Sequence, residues 1–315
     1  MLRIIVTFIS KHSAGTMRNS YEVQTRGGEP ASPRRRALLA ASACAALVYG
    51  CSAPGSGDAG ALAQGVVWQP DDDHVDPHGD WNRLGVTDLL VQWTAVDGTS
   101  FLPGTDMQTA RRLPDWTRIA GEPWARTVIV GLAGRFDEPT ARAQAARLVE
   151  QSKQLAAVRP AVRIDGYYFP VEVDPTWKDA AALAPLLDTL PRPLWISVYD
   201  NSNIGGAALA AWLDGWLPHD VGVFLQDGCG VYARGPAAAR EYADALAARL
   251  GKDRVRIIAE AFRPAQGGAF RAATAAELLP QLRAYRGYRT YLFDGPHYVS
   301  AQLVQDLLGM QQVQK

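Results

Sequence analysis

Eight short runs rich in β-branched and aromatic residues recur along the chain, each separated from the next by a longer amphipathic stretch. They are Gly65–Gln69, Thr87–Trp93, Thr127–Leu132, Ile164–Phe169, Leu194–Tyr199, Val221–Gln226, Val255–Ala261 and Thr290–Asp294. Several are near-continuous apolar runs, the pattern of parallel strands covered on both faces. Strands alternating with helices build βα units, and eight such units close a (β/α)8 TIM barrel, an α/β fold. The helical stretches read as Glu138–Val158, which stops before Pro160, Asp179–Leu190, Ile204–Trp216, Pro236–Leu250, Thr274–Tyr285 and Ser300–Met310. Pro236 suits a first helical turn and Gly251 the position just past a helix end. Residues 94–124 carry little helical pattern and read as a long loop with one short helix. A doubly wound open sheet predicts a Gly-rich phosphate turn after an early strand, and the sequence has none.

The chain has 315 residues, 48% of them hydrophobic, enough for one full barrel core. Its formal charge of zero hides two opposite parts. Residues 1–50 hold seven Lys/Arg and two Asp/Glu; taking these from 32 of each leaves 25 basic and 30 acidic residues, a charge of −5. A mildly acidic domain has no basic face with which to neutralise phosphates, so no nucleic-acid partner is expected. All nine Trp follow residue 60, which suits neutral carbohydrate, whose pyranose faces stack on indole rings; their ordinary use is core packing.

The basic amino-terminal part reads as an export signal. Arg34-Arg35-Arg36 precedes a short apolar run, Ala37–Val48, too short to span a bilayer as a helix. Val48-Tyr49-Gly50-Cys51 resembles a bacterial lipobox and makes Cys51 the candidate acylated residue, a membrane anchor, although Tyr49 is atypical there. The paired arginines resemble a twin-arginine signal with Ala37 in place of the usual bulky residue, and Met17 would begin a more ordinary leader. The organisation expected is therefore an export signal with lipobox over residues 1–50, a flexible tether over 51–63 and the barrel over 64–315. With Cys44 removed and Cys51 acylated, Cys229 has no disulfide partner. His74 and His78 flank Pro77 in an Asp-rich loop that could bind a cation but reads better as a solvated turn, and no Cys/His cluster has zinc spacing. No metal or organic cofactor is expected.

The carboxyl ends of barrel strands form the active face of such folds. Here they carry Gln69-Pro70-Asp71, Gln92-Trp93-Thr94, Gly131-Leu132, Pro170-Val171-Glu172, Tyr199-Asp200-Asn201, Gln226-Asp227-Gly228, Glu260-Ala261-Phe262 and Phe293-Asp294. Acids, amides and aromatics dominate, and Lys is absent. Glu172 and Glu260 close the fourth and seventh strands. Cleaving a glycosidic bond needs one acid to protonate the leaving oxygen and one carboxylate to attack the anomeric carbon or activate water. Tyr167, Tyr168 and Phe169 beside Glu172 supply the desolvation that raises an acid's pKa, so Glu172 suits acid/base and Glu260 nucleophile or stabiliser, with Asp227 sharing either task. A retaining pair stands roughly 5–5.5 Å apart and an inverting pair about 6.5–9.5 Å. Each acid also has a plain structural reading, Glu172 as a loop carboxylate in a run with Asp174 or paired with an arginine such as Arg163, and Glu260 paired with Arg263. Gln92, Trp93, Trp68, Tyr168, Tyr199, Gln226, Phe262, Asp294 and Tyr298 are candidate substrate-binding residues. Gly228-Cys229-Gly230 reads as a tight turn, and Cys229 has no nearby His to activate it.

Three segments in order, "IDGYYFPVE" at Ile164–Glu172, "LQDGCGV" at Leu225–Val231 and "AEAF" at Ala259–Phe262, resemble an uncharacterised bacterial family of (β/α)8 proteins, a domain of unknown function considered glycoside-hydrolase-like. Its pattern pairs a GWYxPE-like segment with QDGxG and a later ExF. Gln92-Trp93 also fits. The resemblance spans about residues 65–300 and implies Glu172, Gln226, Asp227 and Glu260 as site residues. The arrangement is also similar to the large clan of retaining hydrolases with the acid/base on strand four and the nucleophile on strand seven. That clan usually has Asn before the acid, where this chain has Val171. The expectation is an exported glycoside-hydrolase-like protein acting on a poly- or oligosaccharide; the alternative is a non-catalytic carbohydrate-binding or polysaccharide-export accessory lipoprotein. The sequence has no G-x-S-x-G elbow for another hydrolase chemistry.

Overall fold

The computed structural model describes residues 60–313; the export signal, Cys51 and most of the tether lie outside the described residues. Eight strands close a parallel barrel: β1 Gly65–Trp68, β2 Asp88–Val91, β3 Thr127–Gly131, β4 Ile164–Val173, β5 Leu194–Val198, β6 Val221–Gln226, β7 Val255–Glu260 and β8 Arg289–Phe293. Each pairs with its sequence neighbours, and β8 returns to β1 through Tyr291 opposite Gly65. All eight expected strands are present, and the (β/α)8 reading is correct.

Two apolar layers explain why the runs are nearly continuous. Val67, Leu90, Ile129, Tyr168, Phe224, Ile258 and Tyr291 fill the barrel, while their neighbours Val66, Leu89, Val128, Phe169, Val223, Ile257 and Leu292 face the helices. Large rings inside need small partners. A Cβ on Gly166 or Gly222 would come within 2.4 or 2.3 Å of the Trp195 ring, so these glycines make room for the indole.

The helices follow their sequence signals with local departures. Pro236–Leu250 has the expected bounds, with Pro236 in the first turn and Gly251 at φ 98° beyond its end. Ala275–Ala284 is opened by a capping box of Thr274 and Glu277. The stretch expected as one helix over 138–158 is two, Glu138–Ala143 and Ala145–Ala157, because Gln144 leaves helical geometry at φ −110°. Residues 94–124 hold more order than a loop. Ala95–Val96, Thr99–Ser100 and Gln108–Thr109 join Ala133–Gly134 in a small sheet, before the helix Trp116–Ala120. Among the described residues no helix is long and apolar enough to cross a membrane.

The amino end of the barrel is closed by a buried polar network. Asp88 accepts hydrogen bonds from the hydroxyls of Thr87 and Thr127 through one oxygen and from Arg289 and the Tyr291 hydroxyl through the other. Arg256 donates to the Tyr291 hydroxyl at 2.9 Å and lies over the Trp195 ring at 4.0 Å. Every charge there has an opposite charge or a ring face beside it.

Candidate active site

Glu172 is placed by an irregularity in β4. That strand and β5 lose register between Phe169, opposite Ile196, and Glu172, opposite Ser197, so Pro170 and Val171 are surplus to the ladder. Proline offers no N–H to a neighbouring strand, and a bulge is where a strand tolerates it. Because two residues are added, the in–out alternation survives and Glu172 faces inward above Tyr168. There the Gln226 amide nitrogen donates to Glu172 Oε2 at 2.6 Å and to Ser197 Oγ at 2.6 Å. The backbone is held from outside: the Glu172 N–H donates to Glu138 Oε2 at 3.2 Å, and Arg142 donates to the Glu172 carbonyl at 3.1 Å.

Glu260 ends β7 and meets the turn after β6. Gly228 adopts φ 68°, and the Gly230 N–H donates to Glu260 Oε2 at 2.6 Å. A Cβ on Gly230 would lie 2.8 Å from that oxygen and 2.6 Å from the Phe262 ring, so glycine is what lets the amide come this close. Glu260 Oε1 is buried and has no hydrogen-bond partner. Neither expected structural pairing forms: no ion pair reaches Glu172 or Glu260 among the described residues, and Arg263 turns to the carbonyls of Glu260 and Phe262 and to Gln281.

Both carboxyls are nearly inaccessible, and burial raises both. Glu172 is pushed up to about 7; the Gln226 hydrogen bond and the field of Arg142 pull against this, and Asp174 adds to it. Glu260 lies well above the carboxylate range through burial and the charge of Asp227, opposed by the Gly230 amide and Arg234. The charge of Glu172 adds a smaller push to Glu260. Tyr199 senses both acids: burial and then Glu260 and Glu172 raise its hydroxyl, which has no hydrogen-bond partner.

The other expected residues separate into those that join this centre and those that do not. Gln226 joins directly. Tyr168 lies inside the barrel with its hydroxyl beside Ser197 and Gln92, and Gln92 Oε1 is a buried acceptor without a partner. Phe262 packs at 5.3 Å from the half-buried Tyr298, edge-on to Phe270 and Phe293. Trp68 does not reach the centre. It is wholly buried on the helix side, edge-on to Trp116, with its indole N–H on the His74 carbonyl at 2.6 Å. Trp93 packs under the small sheet against Phe136 and donates to the Pro70 carbonyl at 2.9 Å. Both indoles are core, because the apolar demand of the fold exceeds that of the rim.

Asp227 has its carboxylate occupied. One oxygen accepts from the backbone N–H of Cys229 at 3.1 Å and Glu260 at 3.3 Å, the other from Gln281 and the Tyr285 hydroxyl. With four donors it has no lone pair left for substrate; it fixes the turn that carries Gly230 and the end of β7. Burial raises it against those donors. Asp294 is likewise spent on His297, accepting from its backbone N–H at 2.9 Å and its Nδ1 at 2.8 Å. Burial opposes the charge on His297, but Asp294 and Asp71 outweigh it and push this imidazole up to about 9.

Sequence reasoning missed Glu138 and Ser197. Glu138 follows the helix cap Asp137 and reads as an ordinary first-turn acid. The fold buries it against Glu172, whose charge adds to burial in raising it well above the carboxylate range. The only local hint was an acid two residues beyond a barrel loop. Arg234, buried over the rings of Tyr199 at 5.2 Å and Tyr242 at 4.8 Å, was also unforeseen.

No family model and no curated protein matches the chain. A solved structure of a protein described as a "putative alpha-L-fucosidase" from Bacteroides thetaiotaomicron VPI-5482 is similar: 14% identity, 82% of this chain and 92% of that chain covered, TM-score 0.53. At that identity the likeness shows the fold alone. The class defined is a (β/α)8 barrel domain, and the motif resemblance to the uncharacterised family rests on its residues without a matching family model.

Proposed function

We propose that this chain is an exported glycoside hydrolase, tethered through Cys51, that cleaves a polysaccharide or oligosaccharide with Glu172 and Glu260. The observation that carries the reading is the pair of buried carboxyls at the ends of β4 and β7, each held by one neutral donor and neither by a cation. Structural carboxylates are paired or fully hydrogen-bonded, as Asp88 and Asp227 are; acids kept partly unsatisfied and raised are equipment for proton transfer. In this reading protonated Glu172 delivers its proton to the leaving oxygen, and Gln226 holds the carboxylate that results. Glu260 faces the anomeric carbon as nucleophile or stabiliser. The positive charge that grows at the sugar in the transition state favours the ionised form of the acid beneath it, and the Gly230 N–H is already aimed at that anion.

The test is to assay wild type, Glu172→Gln and Glu260→Gln for reducing ends on a panel of polysaccharides and aryl glycosides, α-L-fucosides among them. Full activity in both variants would overturn the assignment. The depth at which Glu260 is buried favours one second reading, a glycan-binding accessory protein built on the same cleft. It expects saturable glycan binding without turnover, unchanged in both glutamine variants.

A further inference from the structure

A second cluster of chemistry-bearing side chains lies at the carboxyl end of the barrel, on the adjoining ends of β1 and β8. The proposed hydrolysis does not use it. Asp71 and His74 stand in the loop after β1, and Asp294 and His297 follow β8. The β1 loop is pinned: Asp71 Oδ1 accepts the backbone N–H of Asp73 at 2.8 Å and of His74 at 2.6 Å, and the Trp68 indole holds the His74 carbonyl. On the β8 side, both oxygens of Asp294 lie 2.8 Å from His297 Nδ1. That contact keeps the proton of a neutral imidazole on Nδ1 and leaves the lone pair on Nε2. His297 Nε2 is buried, without a hydrogen-bond partner, and points to Asp71 Oδ2 at 3.7 Å; the side chain is 10% exposed. The rings of His74 and His297 approach to 3.8 Å between centroids. One ligand atom from each of Asp71, His74 and His297 lies within 4.8 Å of the others.

We propose that Asp71, His74 and His297 bind a divalent transition-metal ion, with Asp294 orienting His297 from behind. Zinc–ligand bonds of about 2.0–2.2 Å bring neighbouring ligand atoms to roughly 3–4 Å from one another, the spacing this cluster already approaches. Two imidazoles select a zinc-like ion over calcium or magnesium, which take oxygen ligands. The Asp294–His297 contact is the carboxylate–histidine arrangement that fixes the tautomer and ring plane of a metal-bound histidine. A buried imidazole nitrogen is aimed at a carboxylate beyond hydrogen-bond reach, and a second imidazole packs against it with its Nδ1 3.0 Å from Asp71 Oδ1. Three protein ligands leave coordination positions for water or a ligand oxygen, and His74, 36% exposed, gives the ion a way in. His78, the other histidine of that loop, is mostly exposed and turns to Asp76 and Arg118.

The experiment uses the full chain, stripped with chelator and titrated with cobalt(II) chloride, then zinc chloride. One equivalent of cobalt should give visible d–d absorption, and one equivalent of zinc should remove it. His297→Ala and His74→Ala should each abolish the signal, Asp294→Asn should weaken binding by about 10–100-fold, and His78→Ala should leave it unchanged. Thermal melting checks that each variant is folded; if His297→Ala is not, the loop variant His74→Ala decides. Absence of stoichiometric binding overturns the proposal. So does wild-type affinity in a folded histidine variant, or sulfur-to-cobalt charge-transfer absorption, which places the ion on cysteine.

Discussion

The two ends of this barrel bury carboxylates in opposite ways. At the amino end Asp88 has four donors: the hydroxyl of Thr87 just before it in the chain, that of Thr127 on the neighbouring strand, that of Tyr291, and the guanidinium of Arg289. At the carboxyl end Glu172 and Glu260 are buried to a similar depth, yet the side chain of each meets only one donor, and one oxygen of Glu260 meets none. Taking an ion out of water costs several kcal/mol, which a compensated site recovers and an uncompensated one does not. Asp88 thus belongs to the stability of the barrel, whereas the two glutamates carry a standing cost that is useful only if they exchange protons or meet a growing positive charge. Asp227 shows that the carboxyl end can also satisfy an acid fully, so the deficit at the glutamates is not a property of that end as a whole.

The contrast can be broken experimentally, and the largest effect is on catalysis. On whatever glycan the wild type cleaves, Glu172→Gln and Glu260→Gln should each lower kcat by about 100- to 10,000-fold with little loss of melting temperature. Steady-state kinetics alongside thermal melting check both halves. Next, Asp88→Ala should destabilise the fold by about 2–4 kcal/mol, reduced from the full cost of an orphaned buried charge because Arg289 is half exposed. It should leave kcat of the folded fraction unchanged; urea denaturation followed by activity measures this. If Asp88→Ala silences catalysis while leaving stability intact, the division between the two ends fails.

A pH experiment sharpens the comparison. In the unfolded chain Glu172 titrates near 4.5, in the folded one near 7. Below pH 4.5 both states hold the proton and the group contributes nothing. Between these values the folded state binds more protons, so stability falls as pH rises, and the loss is complete above 7. Glu172→Gln should flatten that slope and stabilise the protein at pH 8 by roughly 1–3 kcal/mol relative to wild type. Denaturation midpoints from pH 4 to 8 decide it. The smallest effect belongs to Gln226→Leu. Its amide favours ionised Glu172, so its loss should raise that group further and move the alkaline limb of activity upward by about 0.5–1 pH unit. A limb that stays in place would disconnect Gln226 from the acid.

Much of this was legible from the chain alone. The β-rich runs predicted every barrel strand, since parallel strands buried on both faces leave a local composition that tertiary packing does not alter. Pro236 and Gly251 marked one helix to the residue for the same local reason. That Glu172 and Glu260 stand at the carboxyl ends of the fourth and seventh strands was readable by counting strands. The errors arose where a residue's role depends on which side it faces. Trp68 and Trp93 sit beside strand ends like rim aromatics but point into helix and loop packing. Asp227, next to the site in sequence, points away to Gln281 and Tyr285. Glu138, remote in sequence, is folded against Glu172.

The sequence by itself determined the barrel, its order of elements and the strand ends on which acids stand, because periodicity and chain breakers act within a few residues. Only the tertiary structure decided how those acids are served. The two-residue bulge at Pro170 lifts Glu172 into the barrel mouth, the Gly230 amide reaches Glu260 across a turn, and His74 meets His297 rather than His78. Each of these depends on segments brought together by ring closure, and desolvation, the force that sets the character of both glutamates, exists only once the barrel has closed around them.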